Sequence, residues 1–243
     1  MQGMILAAGY GTRLKPLTDE IPKALVRLKG KPLIQHIIEK FIFYGIDEIV
    51  INAHYFAGKI EEFILSGSFS ADIKVIKEDN ILGTGGGIFN MLPHCTDDNI
   101  IVYNTDVICD IDLTELMKYH LNHSPLATMV MQDRETYNQV IIDSKNRFCG
   151  LNYVKKGEKT VVLEPAEPSS VLAFCGIHAL NKRIAEFERP EKFYSIIRTY
   201  LDAVKAGEKI VAYRPDIRWI DVGTTEKLSE AENSEIHHNY PVL

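Results

Sequence analysis

The residues with the clearest capacity for chemistry lie in segment 6–18, which reads Leu-Ala-Ala-Gly-Tyr-Gly-Thr-Arg-Leu-Lys-Pro-Leu-Thr. Gly9 and Gly11 have no Cβ, so backbone N–H groups of this segment can approach a polyphosphate closely. Arg13 adds a guanidinium that binds phosphate oxygens in a bidentate manner, and Lys15 adds a second cation. The segment therefore predicts a loop that binds the phosphates of a ligand.

Two other glycine-rich phosphate-binding motifs differ from this loop. A dinucleotide-binding turn would have a third glycine where this sequence has Leu14. A Walker P-loop would continue into Gly-Lys-Ser/Thr, which does not follow here at the required spacing. The NAD-binding interpretation is therefore the weaker one, and the Walker interpretation is excluded.

A second glycine-rich segment, 83–87, has the sequence Gly-Thr-Gly-Gly-Gly and precedes a predicted short helix over 88–92. Four glycines in five residues favour the close approach of a flat ligand to the backbone. The alternative is a flexible turn that caps the short helix. Only the close approach of a ligand would give this segment a role in binding.

Two aspartates lie at the ends of predicted strands. Asp106 closes the run Tyr-Asn-Thr-Asp, and Asp221 lies in Trp-Ile-Asp-Val-Gly-Thr, residues 219–224. A carboxylate at the crevice end of a parallel sheet, beside bound phosphate, is well placed to hold Mg²⁺. The alternative for Asp106 is a cap on the following turn.

These segments require a scaffold that brings strand ends together. Strands are predicted over 4–8, 48–52, 73–77 and 100–104, and helices over 32–44, 56–65 and 88–92. This alternation predicts a parallel sheet covered on both faces. Such sheets bind ligands beyond the carboxyl ends of their strands, which marks the loops after Ala8, Lys77 and Tyr103.

The second half of the chain has a different pattern. Short β-type runs are expected over 126–131, 139–143, 147–153, 160–163, 171–178, 210–213 and 218–222, and helices over 193–206 and 224–238. The β-type runs indicate an antiparallel or mixed extension of the same sheet. We expect one α/β domain over 1–243, with halves of roughly 1–110 and 111–243.

Composition limits the class of partner. The 243 residues are 46% hydrophobic and carry a formal net charge of −6, so an extended nucleic-acid surface is not expected. No apolar stretch approaches the ~20 residues of a membrane span. Four scattered cysteines predict buried thiols in a reducing cytoplasm.

The pattern G-x-G-T-R-L-x-P-L-T followed by Pro22-Lys23 resembles the signature of the nucleoside-diphosphate-sugar pyrophosphorylases, the sugar-1-phosphate nucleotidyltransferases. The resemblance continues through 30–34, 83–87 and 219–224. It implies a three-layer, Rossmann-like α/β/α fold with a mixed, mostly parallel sheet. It also implies that Arg13, Lys23 and Asp106 are catalytic and that Asp106 and Asp221 bind Mg²⁺. The implied nucleotide-binding residues are Leu6, Ala8, Gly9, Gly11, Thr12, Arg13, Asn80, Gly83, Thr84, Gly85 and Gly86.

The same resemblance assigns the sugar side of the crevice to the second half of the chain. The stretch Phe-Cys-Gly-Ile at 174–177 is similar to a sugar-side stretch of the family, whereas the family triplet Glu-Lys-Pro is absent and Leu-Glu-Pro at 163–165 is nearest to it. His178 is interpreted as structural. The implied sugar-phosphate-binding residues are Asn104, Asn138, Asn152, Glu164 and Gly176.

The resemblance implies a magnesium-dependent reaction of an NTP, UTP or GTP, with a sugar 1-phosphate to give an NDP-sugar and pyrophosphate. The chain is similar both to small N-acetylmuramate-1-phosphate uridylyltransferases and to heptose- or mannose-1-phosphate guanylyltransferases. The alternative is a catalytically silent nucleotide-sugar sensor of the same fold. A homo-oligomer is compatible with the sequence.

Overall fold

A computed structural model describes residues 1–234 and 236. Its strands are β1 (Gln2–Leu6), β2 (Arg27–Leu28), β3 (Lys31–Pro32), β4 (Glu48–Ala53), β5 (Asp72–Lys77), β6 (Asn99–Asn104), β7 (Val107–Cys109), β8 (Ala127–Gln132), β9 (Asn138–Ile142), β10 (Phe148–Tyr153), β11 (Glu158–Val161), β12 (Ser170–Asn181), β13 (Ile210–Tyr213) and β14 (Trp219–Asp221). Its α-helices are α1 (Leu33–Phe43), α2 (Ala57–Ser66), α3 (Gly83–Met91), α4 (Leu113–His123), α5 (Ile196–Lys205) and α6 (Thr225–Asn233).

Ten of these strands form one mixed sheet, in which β11-β10-β9-β12-β6-β1-β4-β5 are adjacent in that order and β8 joins β12 to β13. β1 pairs in parallel with both β4 and β6. β12 is antiparallel to β6, β8 and β9, and β10 is antiparallel to β9 and β11. Eight strands therefore share one direction, and the predicted mixed, mostly parallel sheet is confirmed.

Helices cover both faces of the sheet because side chains alternate along buried strands. Met4 of β1 belongs to a core that includes apolar residues of α3 and α5. The next residue, Ile5, belongs to a separate core that includes residues of α1, α2 and α4. This arrangement is the three-layer α/β/α fold that the sequence predicts. In the described part of the chain, no helix has the length and apolar character that crossing a membrane requires.

Several element boundaries differ from the prediction. α3 begins at Gly83 and not at residue 88, so the glycine-rich segment forms its first turns. α5 begins at Ile196 and not at residue 193, because Ser195 adopts an extended conformation and its hydroxyl accepts a hydrogen bond from Ile197 N. α6 ends at Asn233, short of the predicted 238; residues 235 and 237–238 lie outside the described residues.

Helix α4 and strand β7 were absent from the prediction. The signal for α4 was available: Asp112 caps it by accepting a hydrogen bond from Glu115 N, and apolar Leu113, Leu116 and Met117 recur at helical spacing. β7 has three residues, and its strand character comes from pairing with β14. That pairing joins segments that are distant along the chain, so the local hydrophobic pattern does not predict it.

Candidate active site

A cavity of about 460 Å³ opens at the carboxyl ends of β1, β4 and β6. This is the crevice that the strand pattern predicts. Its lining combines the loop after β1, the start of α3, the end of β6 and the segment before α5. The lining residues are Leu6, Ala7, Ala8, Gly9, Lys23, Ala24, Asn52, Ile81, Gly83, Thr84, Asn104, Thr105, Asp106, Phe193, Tyr194 and Ser195.

The loop after β1 turns sharply at Gly11, whose φ of +65° is a left-handed conformation that favours glycine. The Thr18 hydroxyl donates to Gly11 O at 2.8 Å and holds the turn. Leu6, Ala8 and Gly9 line the cavity, while Gly11, Thr12 and Arg13 continue beyond its lining. The loop therefore presents Gly9 to the cavity. Its Arg13 side chain extends instead toward Gly223, just after β14.

A buried amide and carboxylate connect three of the strand ends. Asn52 accepts a hydrogen bond from Ala7 N at 2.8 Å and donates to Glu78 Oε1 at 2.6 Å. The second carboxylate oxygen of Glu78 accepts from Leu82 N at 3.0 Å, and burial raises the pKa of Glu78. Sequence reasoning missed this pair, although Asn52 has the same signal as Asn104, a polar residue at the carboxyl end of a buried strand.

Lys23 and Asp106 meet in the cavity. Lys23 Nζ lies 2.5 Å from Asp106 Oδ2, and the two side chains are 14% and 22% exposed. A Cβ on Gly11 would lie 2.9 Å from Lys23 Cβ, so the glycine allows the lysine to pack directly beneath the first loop. The structure thus brings together two residues that are far apart in sequence.

Asp221 reaches the same place through the pairing of β14 with β7, in which Asp221 lies opposite Val107. Val222 N donates to Asp106 O at 2.8 Å, which aligns the two aspartate-bearing backbones. A Cβ on Gly223 would lie 2.6 Å from Asp221 Oδ1 and 2.7 Å from the Arg13 guanidinium. The backbones of Asp106 and Asp221 are therefore adjacent, and the Arg13 guanidinium and Asp221 both lie next to Gly223, beside the cavity and outside its lining.

The donor chemistry of this edge fits Mg²⁺. Carboxylate oxygens are ligands that Mg²⁺ prefers, and it usually takes its remaining positions from water and substrate phosphate. Among residues 1–234 and 236, no group of three or more His, Cys, Asp or Glu side chains is arranged to hold a metal ion. Two aspartates with adjacent backbones, of which Asp106 lines the cavity, fit that pattern better than a cage made only of protein ligands.

The glycines of segment 83–87 fall into two groups, those that line the cavity and those that pack against another segment. Gly83, with φ +71°, and Thr84 line the cavity. Gly85 and Gly86 are buried and outside the lining: an added Cβ would lie 2.3 Å from the Tyr194 ring at Gly85 and 2.2 Å from Lys192 O at Gly86. Their missing side chains make room for another segment of this chain. Asn80 is exposed and does not contribute to the lining.

The residues expected on the sugar side are dispersed. Asn104 lines the cavity, and an added Cβ on Gly176, φ +75°, would lie 2.7 Å from Asn104 Nδ2. Asn138, Asn152 and Glu164 lie outside the lining, and Asn152 Nδ2 donates to Gln139 Oε1 at 2.6 Å. The structure therefore groups Gly176 with Asn104 and does not bring the other three into this cavity.

His178 and the four cysteines are buried away from the cavity. His178 is 1% exposed and contacts the Tyr200 hydroxyl through Nδ1 at 2.5 Å, and burial lowers the pKa of His178 to about 3. All four cysteines are buried free thiols, as predicted. Neither group contributes to the cavity lining.

An open, mixed sheet between two helical layers, with a glycine- and arginine-bearing loop after its first strand and two aspartates at strand ends, defines an α/β protein with a ligand crevice at the carboxyl edge of its sheet. The chain belongs to the nucleotidyl transferase family, whose model matches residues 2–237.

Relatives of known name match most of this chain. The bifunctional protein GlmU of Methanocaldococcus jannaschii is 32% identical over 95% of the chain and 53% of GlmU. The D-glycero-alpha-D-manno-heptose 1-phosphate guanylyltransferase of Aneurinibacillus thermoaerophilus is 25% identical over 98% of the chain and its whole length. The fold is similar to that in a crystal structure of HddC from Yersinia pseudotuberculosis complexed with GMP-PN, with a TM-score of 0.75. The two sequences are 25% identical, and the match covers 95% of this chain and 97% of HddC. The chain spans between 53% and 62% of the length of GlmU and several further curated relatives.

Proposed function

We propose that this chain transfers a nucleoside monophosphate from an NTP to a sugar 1-phosphate and releases pyrophosphate. The contact of Lys23 with Asp106 in the cavity, with Asp221 on the strand paired beside Asp106 and Arg13 next to Gly223, carries this proposal. Relatives named sugar-phosphate uridylyl- and guanylyltransferases support it. The nearby cavity of about 460 Å³ has the volume of a small-molecule site.

The chemistry is an in-line displacement at the α-phosphorus of the NTP. The sugar 1-phosphate oxygen is anionic near neutral pH, so the reaction needs positioning and charge neutralisation and not a general base. Arg13 and the N–H groups of the loop after β1 hold the NTP phosphates, and Lys23 neutralises charge at the reacting phosphates. Asp106 and Asp221 would hold Mg²⁺, and the bound ion would supply charge neutralisation to the reacting phosphates.

The side of the cavity formed by β1, β4 and segment 81–84 is the better place for the nucleobase. Asn52 and Glu78 hold the three loops there in a fixed arrangement. UTP and GTP are both compatible with a base site built mainly from backbone. We place the reaction in the cytoplasm, because buried free thiols suit a reducing compartment.

A panel of substrates tests the proposal. UTP, GTP, CTP and ATP are each combined with the 1-phosphates of glucose, mannose, N-acetylglucosamine, N-acetylmuramate and D-glycero-alpha-D-manno-heptose in the presence of MgCl₂, and pyrophosphate release is measured. We expect turnover with at least one pair and its loss on addition of EDTA. If NTP binds but no pair gives pyrophosphate, the chain is instead a nucleotide-sugar sensor and the proposal fails.

A further inference from the structure

A second cavity, of about 540 Å³, shares no lining residue with the cavity at β1, β4 and β6. It is lined by segment 131–134 at the end of β8, segment 214–217 after β13, and Trp219 of β14. β12 is antiparallel to both β6 and β8, so the carboxyl ends of β6 and β8 lie at the same edge of the sheet. The second cavity therefore stands at the edge where open α/β sheets bind ligands.

Arg134 is a half-buried cation in this second cavity. Its guanidinium carbon lies 3.9 Å from the centre of the Trp219 ring, and Nη2 donates to Phe174 O at 3.0 Å. Its Nε is buried and has no hydrogen-bond partner. Contact with an aromatic face stabilises a guanidinium but accepts none of the hydrogen bonds that its five N–H groups can donate. The described chain therefore leaves part of the donor capacity of Arg134 unused.

No carboxylate neutralises this guanidinium, since Arg134 forms no ion pair with any residue that the structure describes. The Cys175 thiol lies beside it, and burial raises the pKa of Cys175 to about 12, so this neighbour stays neutral. Asp133 and Asp216 also line the cavity, but both residues are exposed and keep their hydration. Exposed carboxylates offset a nearby charge only weakly, because water screens them.

Arg214 adds a second cation to the same cavity. β13 pairs in parallel with β8, with Tyr213 opposite Val130, so the residue after β13 lies at the same end as segment 131–134. Arg214 is exposed and is part of the lining. Arginine binds carboxylate and phosphate groups through paired N–H donors. Two arginines on neighbouring strands thus give the cavity the donors that an oxyanion needs.

We propose that the second cavity binds an oxyanion, the carboxylate or phosphate group of a small molecule, through the Arg134 guanidinium, with Arg214 as a further contact. A volume of about 540 Å³ has room for an organic acid or a phosphate ester and not only for a bare ion. The Trp219 ring supports the guanidinium and holds it in place for the anion. This site goes beyond the proposed transfer reaction and does not depend on it.

Two sources supply this chemistry, a free anion and an acid group on the acceptor substrate. The second source is within reach because Trp219 begins β14 and Asp221 ends it. Two residues of a strand span about 7 Å, which is comparable to the width of one sugar ring. An acidic acceptor with its phosphate near Asp221 would therefore extend as far as the second cavity. The two sources give different results in the binding experiments.

The fluorescence of Trp219 reports on the site directly, because the 243 residues contain no other tryptophan. Inorganic phosphate and citrate are titrated separately, with NaCl at matched ionic strength as the control for screening. We expect a saturable change with at least one of them if the ligand is a free anion. Arg134→Gln should weaken its binding at least about tenfold, since a charge-assisted contact is lost, and Arg134→Lys should weaken it less. Calorimetry with the same anion checks that a lost signal is lost binding.

Arg13→Ala identifies the cavity that responds, because Arg13 belongs to the other phosphate-binding loop. This variant should keep the Trp219 response to the anion. A response that Arg13→Ala abolishes and Arg134→Gln preserves would place the anion in the first cavity and overturn the proposal. Arg183→Gln, which removes an exposed arginine paired with Glu208, is the control for a general loss of positive charge.

A pair of acceptors tests the second source without turnover. N-acetylmuramate 1-phosphate carries a lactyl carboxylate that N-acetylglucosamine 1-phosphate lacks. If the acceptor supplies the oxyanion, Arg134→Gln should weaken calorimetric binding of the first about tenfold and of the second less than about twofold. If Arg134→Gln changes neither the binding of a free anion nor that of the acidic acceptor, the proposal is wrong. An Arg134-dependent response in a chain that releases no pyrophosphate would support the second cavity while refuting the transferase.

Discussion

At the scale of single residues, the site depends on where charge is placed. Lys23 forms an ion pair with Asp106, and the Arg13 guanidinium and Asp221 Oδ1 lie on either side of the space that a Cβ on Gly223 would fill. Each cation is thus close to one of the two carboxylates that we assign to Mg²⁺, and Lys23 lies in the cavity itself. A histidine base is not required, and the buried His178 is outside this arrangement.

Asp106→Asn and Asp221→Asn should each lower turnover by about a hundredfold, because one charged contact at a reacting phosphate contributes about 3 kcal/mol to the transition state. Pyrophosphate release under saturating MgCl₂ measures the effect, and circular dichroism checks the fold. The control is Asp110→Asn, just after β7, whose carboxylate bonds to Arg218 away from the cavity. Near-normal turnover in both site variants would refute the metal site.

Arg13→Ala should raise the NTP concentration needed for half-maximal rate by at least about tenfold, since a charge-assisted phosphate contact is lost. The matched control is Lys15→Ala, in the same loop. Lys15 is paired with Asp19 at 2.9 Å and is 58% exposed, so its removal should change the NTP requirement far less. An NTP titration that is the same for both variants would remove Arg13 from the phosphate site.

At the scale of elements, the first turns of α3 act as a packing surface. Glycine lowers helix propensity, yet here it permits segment 192–194 to lie against the helix. The helix start is also joined to α5 through Thr84, whose hydroxyl accepts from Ile196 N at 3.0 Å. Two helix starts are thereby held together at one wall of the cavity.

Gly86→Ala should destabilise the fold by roughly 2 kcal/mol, because the new methyl group would lie 2.2 Å from Lys192 O, a backbone atom. Gly58→Ala, in the first turn of α2, meets nothing within 4 Å and should instead stabilise by about 0.5 kcal/mol. Urea denaturation of the two variants measures the contrast. Equal stabilities would show that α3 and segment 192–194 are not closely packed.

At the scale of the whole molecule, two apolar cores on opposite faces of the sheet hold the strand ends in register. A lysine of α1 is buried beside β7: Lys40, 1% exposed, donates to Cys109 O at 2.9 Å. Burial lowers the pKa of Lys40 from 10.5 to about 8. The molecule therefore releases a proton from this lysine at a pH where the unfolded chain retains it.

The sign of the pH dependence follows from that difference. Between about pH 8 and 10 the unfolded chain binds more protons at Lys40 than the folded chain, so Lys40 should make stability rise by up to about 1 kcal/mol per pH unit. Lys40→Met should abolish this contribution. Urea unfolding at pH 7.5, 8.5 and 9.5 gives the comparison, and identical slopes for both chains would contradict a depressed lysine pKa.

The local sequence pattern was sufficient to predict most of the fold and part of the candidate site. Strand and helix periodicity predicted the sheet edge where the cavity opens, and the glycine, arginine and lysine of the first loop indicated phosphate chemistry. These features are readable because they depend on side-chain alternation and on the missing Cβ of glycine, which are properties of a short segment.

Only the tertiary structure decided which residues share the cavity. The pairing of β7 with β14 brings the backbone of Asp221 beside that of Asp106, and the segment before α5 adds Phe193, Tyr194 and Ser195 to the cavity lining. It also shows that Gly85 and Gly86 make room for another part of the chain. Sequence spacing cannot distinguish a glycine that admits a ligand from one that admits a neighbouring strand or loop, because both depend on contacts between segments that are distant along the chain.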